Sequence, residues 1–293
     1  KRAEMEDTRH GKVSPGIVRS LNFLRDVVSE LPPRILSIER PWRPPVLVWT
    51  DAMYEAKAAV PARGGFIVIV PEEGDVPEHG FFSKHDTPRA VISKFVPGKK
   101  QYIGQLELLY STAPYHSLPH VFAGRDVLHF IDNTSAVAAL VKGYSRAIDS
   151  GLIVNAFHAF NAGLRADVWF EYVNTHANWA DLPSREGLDE LWEIFRRMGI
   201  EQHMKEVPCV LPKFESWEEP AAIWMAQGAQ TSERAKSRAR HAACGKRRRA
   251  DKDERRSNAA VRGASKHATS HNLGDEADAV AQAHFSVAQA ARS

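Results

Sequence analysis

The 293-residue chain has only two cysteines, Cys209 and Cys244, set far apart in unlike segments with no CxxC pair or Cys/His cluster beside them. That scarcity excludes a disulfide framework and a zinc site of ordinary spacing, and it predicts free thiols in a reducing compartment. No run of 18 or more apolar residues occurs, and the N-terminal stretch lacks a charged-then-apolar signal pattern. The expectation is a soluble, intracellular protein with no membrane partner. The chain opens on Lys rather than Met, which suggests a segment of something longer. Overall charge is also slight, 39 Lys/Arg against 36 Asp/Glu for a net of +3.

What is present is material for a core. An apolar fraction of 43% with 9% aromatics is ordinary for a globular protein, so disorder is not the default. The basic charge is concentrated. Thr231 to Arg262 holds 12 Lys/Arg against 4 Asp/Glu, including the clusters Lys236/Arg238/Arg240 and Lys246 to Arg249. The first reading is a solvated charge run; a bipartite nuclear-import signal and phosphate contact with nucleic acid are the alternatives. Poor in large apolar residues, 231–293 is expected to be a tail that is disordered or at best transiently helical.

In chain order, Ser14-Pro15 starts a helix whose Ile17, Val18, Leu21, Leu24, Val27, Val28 and Leu31 recur at helical spacing until Pro32-Pro33. A Pro-rich connector follows to Pro45. Val46 to Thr50 reads as a strand delivering Asp51 at its tip, and Phe66 to Val70, introduced by Gly64-Gly65, as an antiparallel partner. Between Phe81 and Phe95 a third strand is hard to place because Pro88 interrupts. Gln101 to Leu118 is helical around Glu107, and Pro114 is expected to kink or end it. Val127 to Ile131 is an apolar strand ending at Asp132, after which Asn133, Thr134 and Ser135 are competent N-caps for an Ala/Val/Leu helix. Ser145 to Leu164 reads as a long helix, Val168 to Val173 as a strand, and Leu188 to Met198 as an amphipathic helix entered near Asp181. The segment 199–230, with scattered aromatics and prolines, is a C-terminal extension.

Four acids thus stand at element ends or within a helix: Asp51, Glu107, Asp132 and Asp181, spaced by 56, 25 and 49 residues. An acidic side chain at an apolar strand tip is costly unless it caps backbone or holds a cation. Two divalent cations about 3.5–4 Å apart need such a nest of hard oxygens, and together they activate water at a phosphodiester. With 36 acidic residues in the chain, position alone leaves ordinary capping and surface roles open.

The ordered strings VLVWTDA, QLELL, HFIDNTSAVAALVKG and NWADLPSRE, over about residues 46 to 198, resemble the ribonuclease H domain of retroelement reverse transcriptases, particularly the DIRS-like, tyrosine-recombinase retrotransposon type. The resemblance implies an α/β ribonuclease H-like fold, a mixed sheet of about five strands with helices on both sides. It places Asp51, Glu107, Asp132 and Asp181 on the metal-binding, catalytic acids, with two Mg²⁺ (or Mn²⁺) ions as cofactor. The implied reaction is hydrolysis of the RNA strand of an RNA–DNA hybrid, with an upstream polymerase domain as partner and 1–45 as its trailing end. His176, before the last acid, is either a proton-transfer residue or an exposed loop histidine. Asn133, Ser135, Ser184 and Arg185 are candidate phosphate contacts, although capping explains the first two as well and a cap with a surface charge the others.

The chain departs from the family pattern at Met53, where a small residue is usual, in the absence of a hairpin glycine before Gly64, and at Pro114 in the helix bearing Glu107. These departures support an alternative, a non-catalytic nucleic-acid-binding remnant. A second alternative is a transposase or integrase core using Asp51, Asp132 and Glu171, with Glu171 in mid-strand.

Overall fold

The computed structural model describes residues 13, 15–30, 43–73, 77–97, 101–185, 187–213, 217, 221–234 and 236–237. They all fall within the compact unit of residues 1–237. The expectations for the first dozen residues, the Pro-rich connector up to Trp42, Cys244 and the tail beyond Ser237 lie outside the described residues.

Six strands form one sheet in the order β5-β4-β1-β2-β3-β6. β1 (Val46–Tyr54), β2 (Ala62–Val70) and β3 (His79–Asp86) make an antiparallel meander. β4 (Asp126–Ile131) lies parallel to β1, β5 (Asp167–Tyr172) parallel to β4, and the three-residue β6 (Met204–Glu206) parallel to β3. The main helices are α1 (Pro15–Glu30), α2 (Ile103–Ser117), α3 (Thr134–Lys142), α4 (Ile148–Leu164) and α5 (Leu188–Arg197). This is the α/β, ribonuclease H-like class expected, with six strands instead of about five. The extra strand, Met-Lys-Glu, is too short and polar to show a period-2 pattern.

Strand alternation explains why both faces carry helices. On one face Val46, Val48, Ala52, Phe66, Val68 and Val70 pack against Leu106, Leu109, Tyr110 and Ala113 of α2 and against α3 and α4. On the other, Trp49, Ile67, Ile69 and Phe82 pack against Leu191 and Phe195 of α5. In α1, Phe23 and Val27 reach the larger core, whereas Val18, Leu21, Leu24 and Val28 stay exposed.

Several expectations need correction. Asp51 is not at the tip of β1, which runs on to Tyr54 because β2 continues to pair with it, Asp51 opposite Gly65. Only the parallel pairing to β4 stops, at Thr50 opposite Ile131. Gly64 and Gly65 lie within β2 rather than ahead of it. A Cβ at Gly64 would meet the Tyr110 ring at 2.4 Å, so the glycine admits α2 onto the sheet. The third strand is clear, and Pro88 sits beyond its end at the single-turn helix Arg89–Ile92. Pro114 does not end α2 at once but lies in its last turn: the helix stops at Ser117, and the Pro114 carbonyl accepts from the N–H of the C-cap Leu118.

The chain beyond β6 packs back onto the larger core. Trp217 stacks on Phe95, and Trp224 and Met225 are buried. A helix through residues 221–234 crosses α4 so closely that a Cβ at Gly163 would lie 2.0 Å from the Met225 carbonyl oxygen, and one at Gly228 2.1 Å from that of Phe160. The expected start of the tail at Thr231 is therefore too early. Ser232 is buried, one turn after Gly228 along the same helix.

Candidate metal centre

Three of the four predicted acids converge. Asp51 comes from β1, Glu107 from the second turn of α2, and Asp132 from the residue after β4, and each offers an oxygen within 4.8 Å of the other two. They meet where the parallel pairing of β4 with β1 stops, at Thr50 opposite Ile131. Asp51 is 3% and Glu107 4% exposed, and Asp132 is half-buried.

Burial sets the electrostatics. It pushes Asp51 up to about 7, against a lowering hydrogen bond from Ser184, and the neighbouring charges of Asp132 and Asp181 add to the rise. Glu107 is driven well above its ordinary value by burial first and then by Asp51 and Asp132, although the Ala52 backbone N–H opposes this. Its Oε2 is buried with no hydrogen-bond partner. A buried carboxylate with one orphaned oxygen, grouped with two more carboxylates, is a poor arrangement for protein alone, since like charges at this distance resist joint ionisation. A divalent cation resolves both defects, and an all-carboxylate oxygen set suits Mg²⁺ or Mn²⁺ better than softer metals. The residues present therefore fit such an ion.

Asp181 stands apart from this trio. It opens the single-turn helix Asp181–Ser184, and its Oδ1 pairs with Arg185 Nε at 2.5 Å. Its charge still raises Asp51. Ser184 is fully buried, its hydroxyl donating to Asp51 Oδ2 and lying 3.0 Å from the Asp181 carbonyl oxygen. The expected phosphate contact is thus corrected: Ser184 is a support beneath Asp51. Arg185 is exposed and bound to Asp181. Asn133 caps α3, its Oδ1 accepting from the N–H groups of Ser135 and Ala136, while Ser135 is exposed. His176 lies exposed in the 3₁₀ turn Thr175–Ala177, and among the described residues no hydrogen bond or ion pair joins it to the acids.

The solved structures similar to this chain include two of known identity. One is RNase H1 from the halophilic archaeon Halobacterium salinarum NRC-1, at 15% identity over 50% of this chain and 99% of the other, with a TM-score of 0.35. The second is the prototype foamy virus protease-reverse transcriptase, at 12% identity over 52% of this chain and 22% of the other, with a TM-score of 0.28. These overlaps are loose, and the fold described above stands on its own strand order and pairing. No protein-family model matches the chain, and neither does any curated protein.

The transposase-type set is not assembled. Glu171 is exposed on the edge strand β5 and accepts from Trp169 Nε1 at 3.1 Å, away from the trio. Of the family departures, Met53 is half-buried opposite Arg63 and Pro114 lies two turns beyond Glu107, so neither displaces an acid. A supporting residue missed from sequence is Asn178. It is buried, its Nδ2 donates to the Thr50 carbonyl at 3.1 Å, and its Oδ1 accepts from Ala180 N–H, tying the loop after β5 to the residue before Asp51. Its signal lay in the Asn-Trp-Ala-Asp string, which by itself does not reveal a contact 128 residues away.

Proposed function

We propose that the domain is a metal-dependent nuclease that hydrolyses the RNA strand of RNA–DNA hybrids, as the ribonuclease H part of a DIRS-like retroelement reverse transcriptase. The observation that carries this reading is the convergence of Asp51, Glu107 and Asp132 with one Glu107 oxygen buried and unbonded. These three would hold two Mg²⁺ or Mn²⁺ ions, with Asp181 completing the set from the side. When bound, such ions activate water for in-line attack on phosphorus and neutralise the phosphodiester.

The chain's own side chains supply binding and orientation. Ser184 holds one oxygen of Asp51 in place. Arg185 interacts electrostatically with Asp181, Asp51 and Asp132 and with the more distant Glu107, and an incoming phosphate would compete with Asp181 for it. Ser135, exposed at the start of α3, is placed for a second backbone phosphate beside the cap made by Asn133. His176 is placed for proton transfer only if its turn moves toward the acids. A hybrid would be read by backbone shape and 2′-hydroxyls, with little regard for base sequence. The arrangement 46–198 as nuclease, 1–45 as the end of an upstream polymerase region, 199–230 as an extension and the basic stretch as an import or phosphate-binding handle belongs to the same proposal.

The test is cleavage of a labelled RNA–DNA hybrid with Mg²⁺ or Mn²⁺, beside a binding titration at fixed salt. Asp132→Asn keeps shape but removes a charge, so it should abolish most cleavage while hybrid binding survives. A folded parent that binds hybrid and never cuts it establishes the remnant instead. One that neither binds nor cuts ends both nucleic-acid readings.

A further inference from the structure

Directly beneath the acids lies a second polar cluster, in the middle of the larger core. Thr50 and His129 are fully buried, Tyr115 likewise, and Ser111 is 1% exposed. Thr50 Oγ1 lies 2.9 Å from His129 Nε2 and 3.3 Å from Ser111 Oγ, His129 Nδ1 lies 3.1 Å from Tyr115 Oη, and Ser111 Oγ donates to the Glu107 carbonyl at 2.7 Å.

The proton positions follow from elimination. Ser111 has one hydroxyl proton and gives it to the Glu107 carbonyl, so it accepts from Thr50. Thr50 has then used its own proton and accepts from His129 Nε2–H. Nδ1 of His129 is left as an acceptor for the Tyr115 hydroxyl. The result is a one-way chain from Tyr115 to the Glu107 backbone, with every hydroxyl proton and ring nitrogen used once. Burial, which holds His129 down to about 3, keeps the ring in the neutral form this order needs.

The elements joined are the ones that bear the three acids. Thr50 immediately precedes Asp51 on β1, Ser111 follows Glu107 by one turn of α2, and His129 precedes Asp132 by three residues on β4. Apolar residues could fill this volume at less cost, since burying polar groups brings little net stability even when all are bonded. Directional bonds do what apolar packing cannot: they set the spacing of two strands and a helix at the point from which the carboxylates project.

We propose that the Thr50 hydroxyl, braced by His129, Ser111 and Tyr115, is a positioning device that holds Asp51, Glu107 and Asp132 at metal-binding distance. This rests on the reading of the three acids as metal ligands. Thr50 touches neither metal nor substrate and acts through the backbone it fixes.

The experiment compares Thr50→Val, which keeps the branched shape and deletes the hydroxyl, with Thr50→Ser, which restores it, in the full chain. Mn²⁺ affinity is read by calorimetry well below each variant's melting temperature. Loss of a supporting partner costs about 10–100-fold in metal affinity, so Thr50→Val should weaken Mn²⁺ binding by roughly 10-fold or more and Thr50→Ser by about twofold at most. If Thr50→Val does not fold, Ser111→Ala cuts the same chain from α2 and should weaken Mn²⁺ in the same direction. A merely structural network would lower the melting temperature and leave Mn²⁺ affinity unchanged, which overturns the proposal, as would equal losses in Thr50→Val and Thr50→Ser. A parent that binds no Mn²⁺ overturns the metal reading and this proposal together, whereas a binding parent with unaffected variants overturns this one alone.

Discussion

Two buried polar clusters sit one residue apart on β1, and they are opposites. Around Thr50 every group has a partner, and the cluster is complete without a ligand. Around Asp51 three carboxylates crowd together, one oxygen has no partner, and two of the acids are pushed toward holding protons. The satisfied cluster stiffens the scaffold, whereas the unsatisfied one stores a defect that only a cation or protons can relieve. Removing a member should therefore have opposite signs in the two places.

Glu107→Gln should break the comparison most visibly. It removes a buried charge, and the new amide N–H groups can donate to Asp51 or Asp132. Metal-free protein at pH 8 should melt a few degrees higher, while Mn²⁺ affinity falls by more than about 100-fold, the upper range already seen for mere outer partners. Calorimetric melting and Mn²⁺ titration of the same sample check both signs. A melting temperature that falls would mean the carboxylate is not under strain in the folded state.

The pH dependence is next in size. Asp51 is raised to about 7 and Glu107 is raised too, so the folded metal-free protein holds protons that the unfolded chain releases at about pH 4. Their stabilisation is complete below that range; the Asp51 share is lost as pH rises through about 7, and the Glu107 share as pH rises through that group's own raised value. Melting temperature without metal should thus decline between pH 4 and about 7, apart from other groups, and the decline should flatten in Glu107→Gln. Mg²⁺ should restore stability above pH 7 and do little at pH 5, because binding must displace those protons at about tenfold in affinity per proton per pH unit. Paired melts with EDTA or Mg²⁺ across this range test it; a gap that does not widen with pH argues against proton–metal competition.

Asp181→Asn should be milder than Asp132→Asn, since Asp181 stands outside the trio and is already paired with Arg185. A loss of about tenfold in cleavage is expected, within the range for supporting groups. Equal losses in the two variants would place Asp181 among the direct ligands. Smallest of all, Glu171→Gln on the edge strand should leave metal affinity and cleavage unchanged, and a loss in either would revive the transposase-type set.

Much of this was legible in the chain. The run Val127 to Ile131 followed by Asp132, Asn133 and an Ala/Val/Leu stretch specified strand, acid, cap and helix from local chemistry alone, and the structure has each of them. Three of the four acids selected by motif do converge. The position of Asp51 was less legible, because where a strand ends depends on how far each neighbour pairs with it, and β2 outlasts β4.

The sequence by itself therefore determined most of the elements, though neither β3 nor β6, and the residue types at the acidic centre, since strand period, N-caps and acid placement are properties of a few adjacent residues. Tertiary structure alone decided that Ser184 supports Asp51 and leaves phosphate aside, that Asn178 reaches back to Thr50, and that His129 joins Thr50 to Tyr115. It also decided that Gly163 and Gly228 would serve a helix crossing, a use that neither glycine reveals locally. Each of these is a contact between residues distant in the chain, and hydrogen-bond geometry or steric clearance exists only once the sheet and helices have brought the two ends together.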